Sequence, residues 1–181
     1  MSPTVKILII IAAAAIILSA SGALAMGLGA GAADSAAGLT DKQRAMARII
    51  ENAILAAGFD SRTVKAAIAN AKGESGLNPD AIGDSGNSVG LFQLNIYGAG
   101  HGLSVEYRKD PENNVKTIIE RELTAATKWG AKFRDVAHSP AATVGDVTEA
   151  FCRFVERPKN LDADSAKQRA IAAKLWPMDP T

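Results

Sequence analysis

Cysteine, histidine and aromatic residues are all scarce in this 181-residue chain, and neither sign of charge is in excess. A single cysteine, Cys152, excludes an intrachain disulfide, so packing must hold the fold together. No Cys–His motif accompanies it, and Cys152 is read as a small buried hydrophobe. The two histidines, His101 and His138, have no partner at metal-ligand spacing and are read as loop residues. Twenty basic side chains stand against nineteen acidic ones. That balance leaves no footprint for nucleic acid, and no basic stretch is interleaved with aromatics. The stretch Asp80 to Gly90 contains Asp, Asn and Gly, but it breaks the order of a calcium loop and lacks its closing glutamate. Neither a metal nor a cofactor is expected.

Long apolar runs are absent except at the start. Ile7 to Met26 carry no charge, and small or apolar residues continue to Ala33. This length can span a bilayer as a helix. Lys6 before it and Ala23-Leu24-Ala25 within it also fit a removable signal peptide. Residues 1–26 are therefore either a transmembrane anchor or a signal peptide, and both put the body across a membrane or against one. Residues 27–39 read as a flexible Gly/Ala linker. Residues 40–181 form one domain.

That domain is mostly helical by pattern. Thr40 with Gln43 makes a capping box, and Met46, Ile49, Ile50, Ala53, Ile54 and Ala57 give an apolar face that Gly58 ends. Ser61 starts a second helix to about Lys72. Leu77 to Gly102 is rich in Gly, Asn, Ser and Asp, which predicts an irregular or β lobe with short strands around Val89 to Leu94. Asp110-Pro111 starts a helix whose period continues to Trp129-Gly130. Thr143 opens another, ended by Pro158, and a last helix covers about Asp164 to Leu175. Trp129 and Trp176 fall at helix ends and are expected to pack, with stacking on sugar the alternative for Trp129.

The informative segment is Glu74 to Asn95. Glu74 lies between two polar or small neighbours at the end of an apolar helix, where lost hydration raises a carboxyl's pKa and keeps a proton available. Asp84 follows ten residues later in a loop that ends in Gly90-Leu91-Phe92-Gln93. One protonated carboxyl, a second carboxylate able to hold water and a groove between them are the needs of an inverting glycosidase. Asp84-Ser85-Gly86-Asn87 is equally good turn chemistry, so a purely structural aspartate stays open.

Glu74-Ser75-Gly76-Leu77-Asn78-Pro79 with Gly90-Leu91-Phe92-Gln93-Leu94 resembles the signature of the soluble lytic transglycosylases. Gly83 to Gln93 is similar to a loop of goose-type lysozymes, and Asp110-Pro111-Glu112-Asn113-Asn114-Val115 to a transglycosylase helix start. Phe151 to Pro158 resembles the Phe…Glu-Arg-Pro motif of phage tail-type lysozymes. The resemblance covers roughly Thr40 to Pro158. It implies a lysozyme-like helical domain over residues 40–181 with a small irregular/β lobe, preceded by the N-terminal hydrophobic helix. It also implies cleavage of the β-1,4 bond between N-acetylmuramic acid and N-acetylglucosamine in peptidoglycan. On that resemblance Glu74 is the catalytic general acid and Asp84 positions water. Gln93 binds sugar in the groove, and Ser75 steadies Glu74 or touches substrate. Asn95 and Asn114 join the substrate-binding set, and Tyr97 or Tyr107 supplies an aromatic.

Two departures keep alternatives open. Asn95 stands where the goose-type loop has a second aspartate, and Arg121-Glu122 stand where transglycosylases have a tyrosine-leucine pair. The first reading is a muramidase; the second is a lytic transglycosylase giving 1,6-anhydro products. A third, from another class, is an inactive wall-binding or structural module. Implied partners are peptidoglycan, a membrane through the N-terminal helix and, by the phage resemblance, other virion proteins, with no nucleic acid. The implied location is membrane-anchored or exported to the periplasmic side, or virion-associated; a bacterial wall-remodelling role fits the leader equally.

Overall fold

The computed structural model describes residues 31–179, and its elements largely follow the caps and apolar stripes of the sequence. The hydrophobic helix, anchor or signal peptide expected at residues 1–26 lies outside the described residues. Among the described residues no helix is long and apolar enough to cross a membrane. The expected flexible linker of residues 27–39 is corrected over its described part. There Ala32–Ser35 make a short helix, α1, with Ala33 and Ala36 buried. Three distant side chains hold it. The Glu51 carboxylate accepts from the Ala32 and Ala33 N–H groups at 2.9 and 3.1 Å, Arg44 donates to the Ala33 carbonyl at 2.7 Å, and Trp176 Nε1 donates to that of Ala32 at 3.1 Å. Composition suggested a loose chain, but small residues also fit closely beneath a cap.

Helix α2 (Asp41–Ala56) opens with the expected capping box, Thr40 Oγ1 accepting from the Gln43 N–H and the Gln43 side chain from that of Thr40. Helix α3 (Ser61–Ser75) starts on Asp60, whose carboxylate accepts from the Thr63 N–H at 3.0 Å. Its interior is buried on nearly every face, from Thr63 and Val64 through Ala66 to Ala71. Alanines there let neighbouring helices approach closely while contributing good helix propensity.

A three-stranded antiparallel sheet follows: β1 (Ile82–Gly83), β2 (Ser88–Val89) and β3 (Leu94–Asn95), in that order. Ile82 pairs with Val89 and Gly83 with Ser88; Ser88 then pairs with Asn95 and Val89 with Leu94. Strands this short cannot stand alone. Phe92 anchors them by entering the helical core 5.7 Å from the Phe151 ring, burial worth about 1.5–3 kcal/mol.

The C-terminal half holds α4 (Val105–Lys109), α5 (Pro111–Ile118), α6 (Lys128–Ala137), α7 (Val144–Phe151) and α8 (Leu161–Leu175). The single helix expected from Asp110 to Trp129-Gly130 is corrected. After α5 the chain widens into a π turn, Ile119–Leu123, and stops; Thr127 then caps α6 by accepting from the Gly130 N–H at 3.0 Å. Trp129-Gly130 is thus a helix start. Helix α7 runs into a second π turn, Cys152–Glu156, before Pro158. Helices α2, α7 and α8 enclose α3. Trp176 is buried, while Trp129 stacks on Phe154 and stays partly exposed. His138 closes α6 and stacks on Phe59.

Candidate active site

The last turn of α3 carries Glu74, and Gly76, in the left-handed conformation, turns the chain out of the helix two residues later. Glu74 opens onto a groove of about 580 Å³ between the helices and the β lobe. Its carboxyl keeps solvent access along the groove while protein crowds its other sides. That burial is the largest influence and raises its pKa above the usual 4.5. Asp164 and Asp84 push the same way, and Lys167 opposes them.

Gln168 of α8 is the side chain that reaches the carboxyl. It is 1% exposed, and its Nε2 donates to Glu74 Oε1 at a long 3.5 Å. Gly73 makes this possible, because a Cβ there would sit 2.2 Å from Gln168 Oε1. The Lys167 ammonium donates to the Gly73 carbonyl at 3.0 Å, tying α8 to the same turn.

The lobe supplies the other wall. Asp84 stands on a left-handed turn (φ 48°) and Ser85 beside it does too (φ 55°). Strained backbone of this kind needs surrounding structure to hold it. Ser88 donates to Asp84 Oδ2 at 2.6 Å, and Asn95 Nδ2 donates to Ser88 Oγ at 3.0 Å and to Asp84 Oδ2 at 3.4 Å. Among the described residues nothing donates to Asp84 Oδ1, which is open to a water or a hydroxyl. Gln93 also lines the groove, with a left-handed backbone (φ 44°) and its Nε2 donating to the Ala81 and Gly90 carbonyls.

Three residues expected at the substrate lie elsewhere in the scheme. Asn114 is fully buried: its Oδ1 accepts from the Phe92 N–H at 3.0 Å, and its Nδ2 donates to the Val89 and Arg108 carbonyls at 3.1 and 2.7 Å. Every polar atom of that amide is spent on shaping the lobe. Ser75 donates to the Ala71 and Leu91 carbonyls at 3.0 and 2.8 Å, so it ties the helix end to the loop and does not steady Glu74. Tyr97 is 81% exposed and outside the groove lining, because Asn95 Oδ1 takes the Tyr97 N–H and turns the chain away. Tyr107 does not line the groove either.

Several groups were not assigned from sequence. Glu156, inside the Phe…Glu-Arg-Pro motif, lines the groove with Glu74. The residue as a whole is only half-buried, but both carboxyl oxygens are closed off from the surface and find no hydrogen-bond partner among the described residues. Burial first, then the Glu74 charge, push its pKa well up. Glu122, at the expected aromatic pair, makes a two-pronged ion pair with Arg157 at 2.7 and 2.9 Å. Its neighbour Arg121 donates to the Ala99 and His101 carbonyls and holds that loop. Arg108, buried, donates to the Asn87 and Leu94 carbonyls, both at 2.8 Å. The Cys152 thiol, as expected, is buried, and burial pushes it up to about 12, which rules it out as a nucleophile near neutral pH.

An acid on a helix end, a groove and a polar lobe facing it agree with what comparison with known sequences finds. No curated protein matches the chain. Residues 45–178, most of its length, match the phage tail lysozyme family. The chain belongs to that family, and with it to the lysozyme-like glycosidases of peptidoglycan.

Proposed function

We propose that this protein is a muramidase that hydrolyses the β-1,4 bond between N-acetylmuramic acid and N-acetylglucosamine, with Glu74 as general acid. The observation that carries the reading is the Glu74 carboxyl itself: it opens onto the groove, burial favours its protonated form, and Gln168 restrains it. A carboxyl kept protonated beside a leaving oxygen can protonate that oxygen as the glycosidic bond breaks. Asp84 takes the second role. Its Oδ2 is held by Ser88 and Asn95, which leaves Oδ1 to orient the water that adds to the anomeric carbon. Gln93 lines the groove wall with Nε2 committed to two carbonyls, which leaves Oε1 as its atom for sugar, and Asn95 acts there by holding Asp84. The enzyme works outside the cytoplasm, exported or carried on a virion, and residues 1–26 serve as its anchor or signal peptide.

The test is clearing of a peptidoglycan suspension by the purified full-length chain, followed by mass spectrometry of the released fragments. Clearing with reducing muramic acid ends is expected, as is its loss in Glu74→Gln. Anhydro ends would assign the lytic transglycosylase reaction and reduce Asp84 to a turn residue. A wild type that binds the wall without clearing it would make the chain a wall-binding module.

A further inference from the structure

Glycan cleavage in the groove leaves one exposed aromatic ring without a task. Of the two tryptophans, Trp176 is buried and its indole N–H donates to the Ala32 carbonyl. Trp129, in the first turn of α6, is 40% exposed, and among the described residues nothing accepts from its indole N–H. The ring is held in place all the same, stacked on Phe154 at 6.2 Å with the two planes 22° apart. Lys128 and Lys132 each place an ammonium group 5.4 Å from the centre of the Trp129 ring, and Lys132 lies 5.8 Å from that of Phe154. Among the described residues no carboxylate lies within ion-pair distance of either lysine. Other cations of the chain are committed: Arg134, also on α6, donates to the Leu123 and Ala125 carbonyls, and Arg153 pairs with Glu149.

Such a surface is complementary to a molecule that carries an apolar face and negative charge together. Covering the exposed ring removes apolar area from water. The electron-rich face of an indole attracts the C–H groups of a sugar ring, and its N–H can meet a hydroxyl. An ammonium group has three donors and takes a carboxylate readily. A peptidoglycan strand offers all of these, as sugars bearing peptide stems that end in carboxylates. The position agrees. Phe154 belongs to the π turn Cys152–Glu156, and the next residues, Val155, Glu156 and Arg157, line the groove, whereas Trp129, Phe154 and both lysines lie outside it. Arg157 donates to the Phe154 carbonyl and pairs with Glu122 on the groove wall, so the platform and the groove share one braced turn. A wall strand is far longer than a groove of about 580 Å³ can hold, and the platform lies where more of it can rest.

We propose that Trp129, backed by Phe154 and flanked by Lys128 and Lys132, is a second binding site for the peptide-bearing glycan strand, outside the groove. The ring takes a sugar, and the lysines take stem carboxylates. The site rests on the reading of peptidoglycan as the substrate, and it does not depend on which group is the general acid. It holds the protein on insoluble wall between cleavage events and has no part in breaking the bond.

The experiment is co-sedimentation of the full-length Glu74→Gln chain, which preserves the ligand, with peptidoglycan sacculi freed of attached phosphate polymers. Adding Trp129→Ala should weaken binding about tenfold, the size of a modest hot spot. Adding Lys128→Ala with Lys132→Ala should weaken it about fivefold, since each exposed ionic contact contributes little. Trp129→Phe, which keeps a ring, should recover most of the loss seen with alanine. Sacculi stripped of their peptide stems should bind the parent chain as weakly as intact sacculi bind the lysine variant. Unchanged binding in either the alanine or the lysine variant overturns the proposal, and so does a parent chain that binds no sacculi. If Trp129→Ala does not fold, the lysine variant decides, because both side chains are exposed. A loss confined to vesicles of phosphatidylglycerol and phosphatidylcholine, with sacculi bound as before, would make the patch a lipid-binding surface and overturns it too. With Glu74 restored, the lysine variant should need about fivefold more sacculi for half-maximal clearing and reach the wild-type rate at saturation. A lowered saturating rate overturns the holding role. A wild type that binds sacculi through the patch but clears nothing supports this site and overturns the muramidase reading alone.

Discussion

On the helical wall of the groove, Glu74 sits at the end of a tightly packed helix with one long hydrogen bond from Gln168. On the lobe wall, Asp84 stands on an exposed left-handed turn with the Ser88 hydroxyl only 2.6 Å away. The first wall crowds the carboxyl from the protein side and supplies little in place of the water it displaces there, which favours the neutral acid. The second supplies hydroxyl and amide donors, an arrangement suited to an accepting oxygen. Two carboxyls on one groove can therefore take different roles because their walls are built differently. Packing builds one wall, and hydrogen bonding of a short strained sheet builds the other.

The largest expected effect tests that contrast directly. Glu74→Gln keeps the shape but cannot give a proton, and should lower the clearing rate by about 10³-fold, within the range for loss of a general acid. Asp84→Asn keeps the hydrogen bond from Ser88 possible and should cost less, about 10- to 100-fold, with anhydro ends rising among the products. Equal losses would erase the distinction between the walls. Turbidity assays with matched protein concentrations read both.

Two glycines sharpen it further. Gly90 in the lobe has φ 85°, and a Cβ there would lie 2.2 Å from the Arg108 backbone carbonyl and the Asn114 amide. Gly90→Ala should therefore destabilise the fold by about 2–4 kcal/mol, read as a lowered Tm. Gly73 in α3 has ordinary helical geometry, and its Cβ would meet only the end of the Gln168 side chain. That side chain can swing aside. Gly73→Ala should cost about 1 kcal/mol or less, because alanine favours a helix, but it should displace the Glu74 restraint and lower clearing about tenfold. If instead Gly73→Ala proves the more destabilising of the two, the helical wall is the stiffer one.

The helical wall was the more legible in sequence. Thr40 with Gln43 and Asp110-Pro111 are local signals, resolved within one turn, and both open helices where expected. Glu74 was legible for the same reason, since an apolar helix and a following glycine define its position. Gly130 misled because a glycine after an apolar run reads as a stop; it lies in the first turn of α6, its N–H taken by Thr127. The lobe's residue types were readable, but its contacts were not. Asn114 looked like a groove residue because nothing local shows that Phe92, 22 positions away, takes its Oδ1. Gln168 meets Glu74 across 94 positions, and neither carries a signal of the other. Glu156 sat inside a motif already noticed, but its aim depends on two π turns that no period or cap announces.

The smallest expected effect concerns stability and not rate. Glu156 titrates well above the ordinary glutamate value of 4.5 in the folded protein, through burial and then the Glu74 charge. The sign follows from proton binding. Above pH 4.5 the unfolded chain loses this proton while the folded protein keeps it, so unfolding releases a proton and becomes easier as pH rises. The stabilisation is complete below 4.5 and declines through the interval up to the raised folded value. Glu156→Gln carries no titrating group there, so its Tm should fall less steeply with pH than that of the wild type. The two curves should lie closest in acid and separate toward neutral pH, with the variant higher. Thermal unfolding at matched ionic strength checks this. Parallel Tm curves would mean that the carboxyl titrates alike in folded and unfolded chains, and the helical wall would then lose its claim to be the drier of the two.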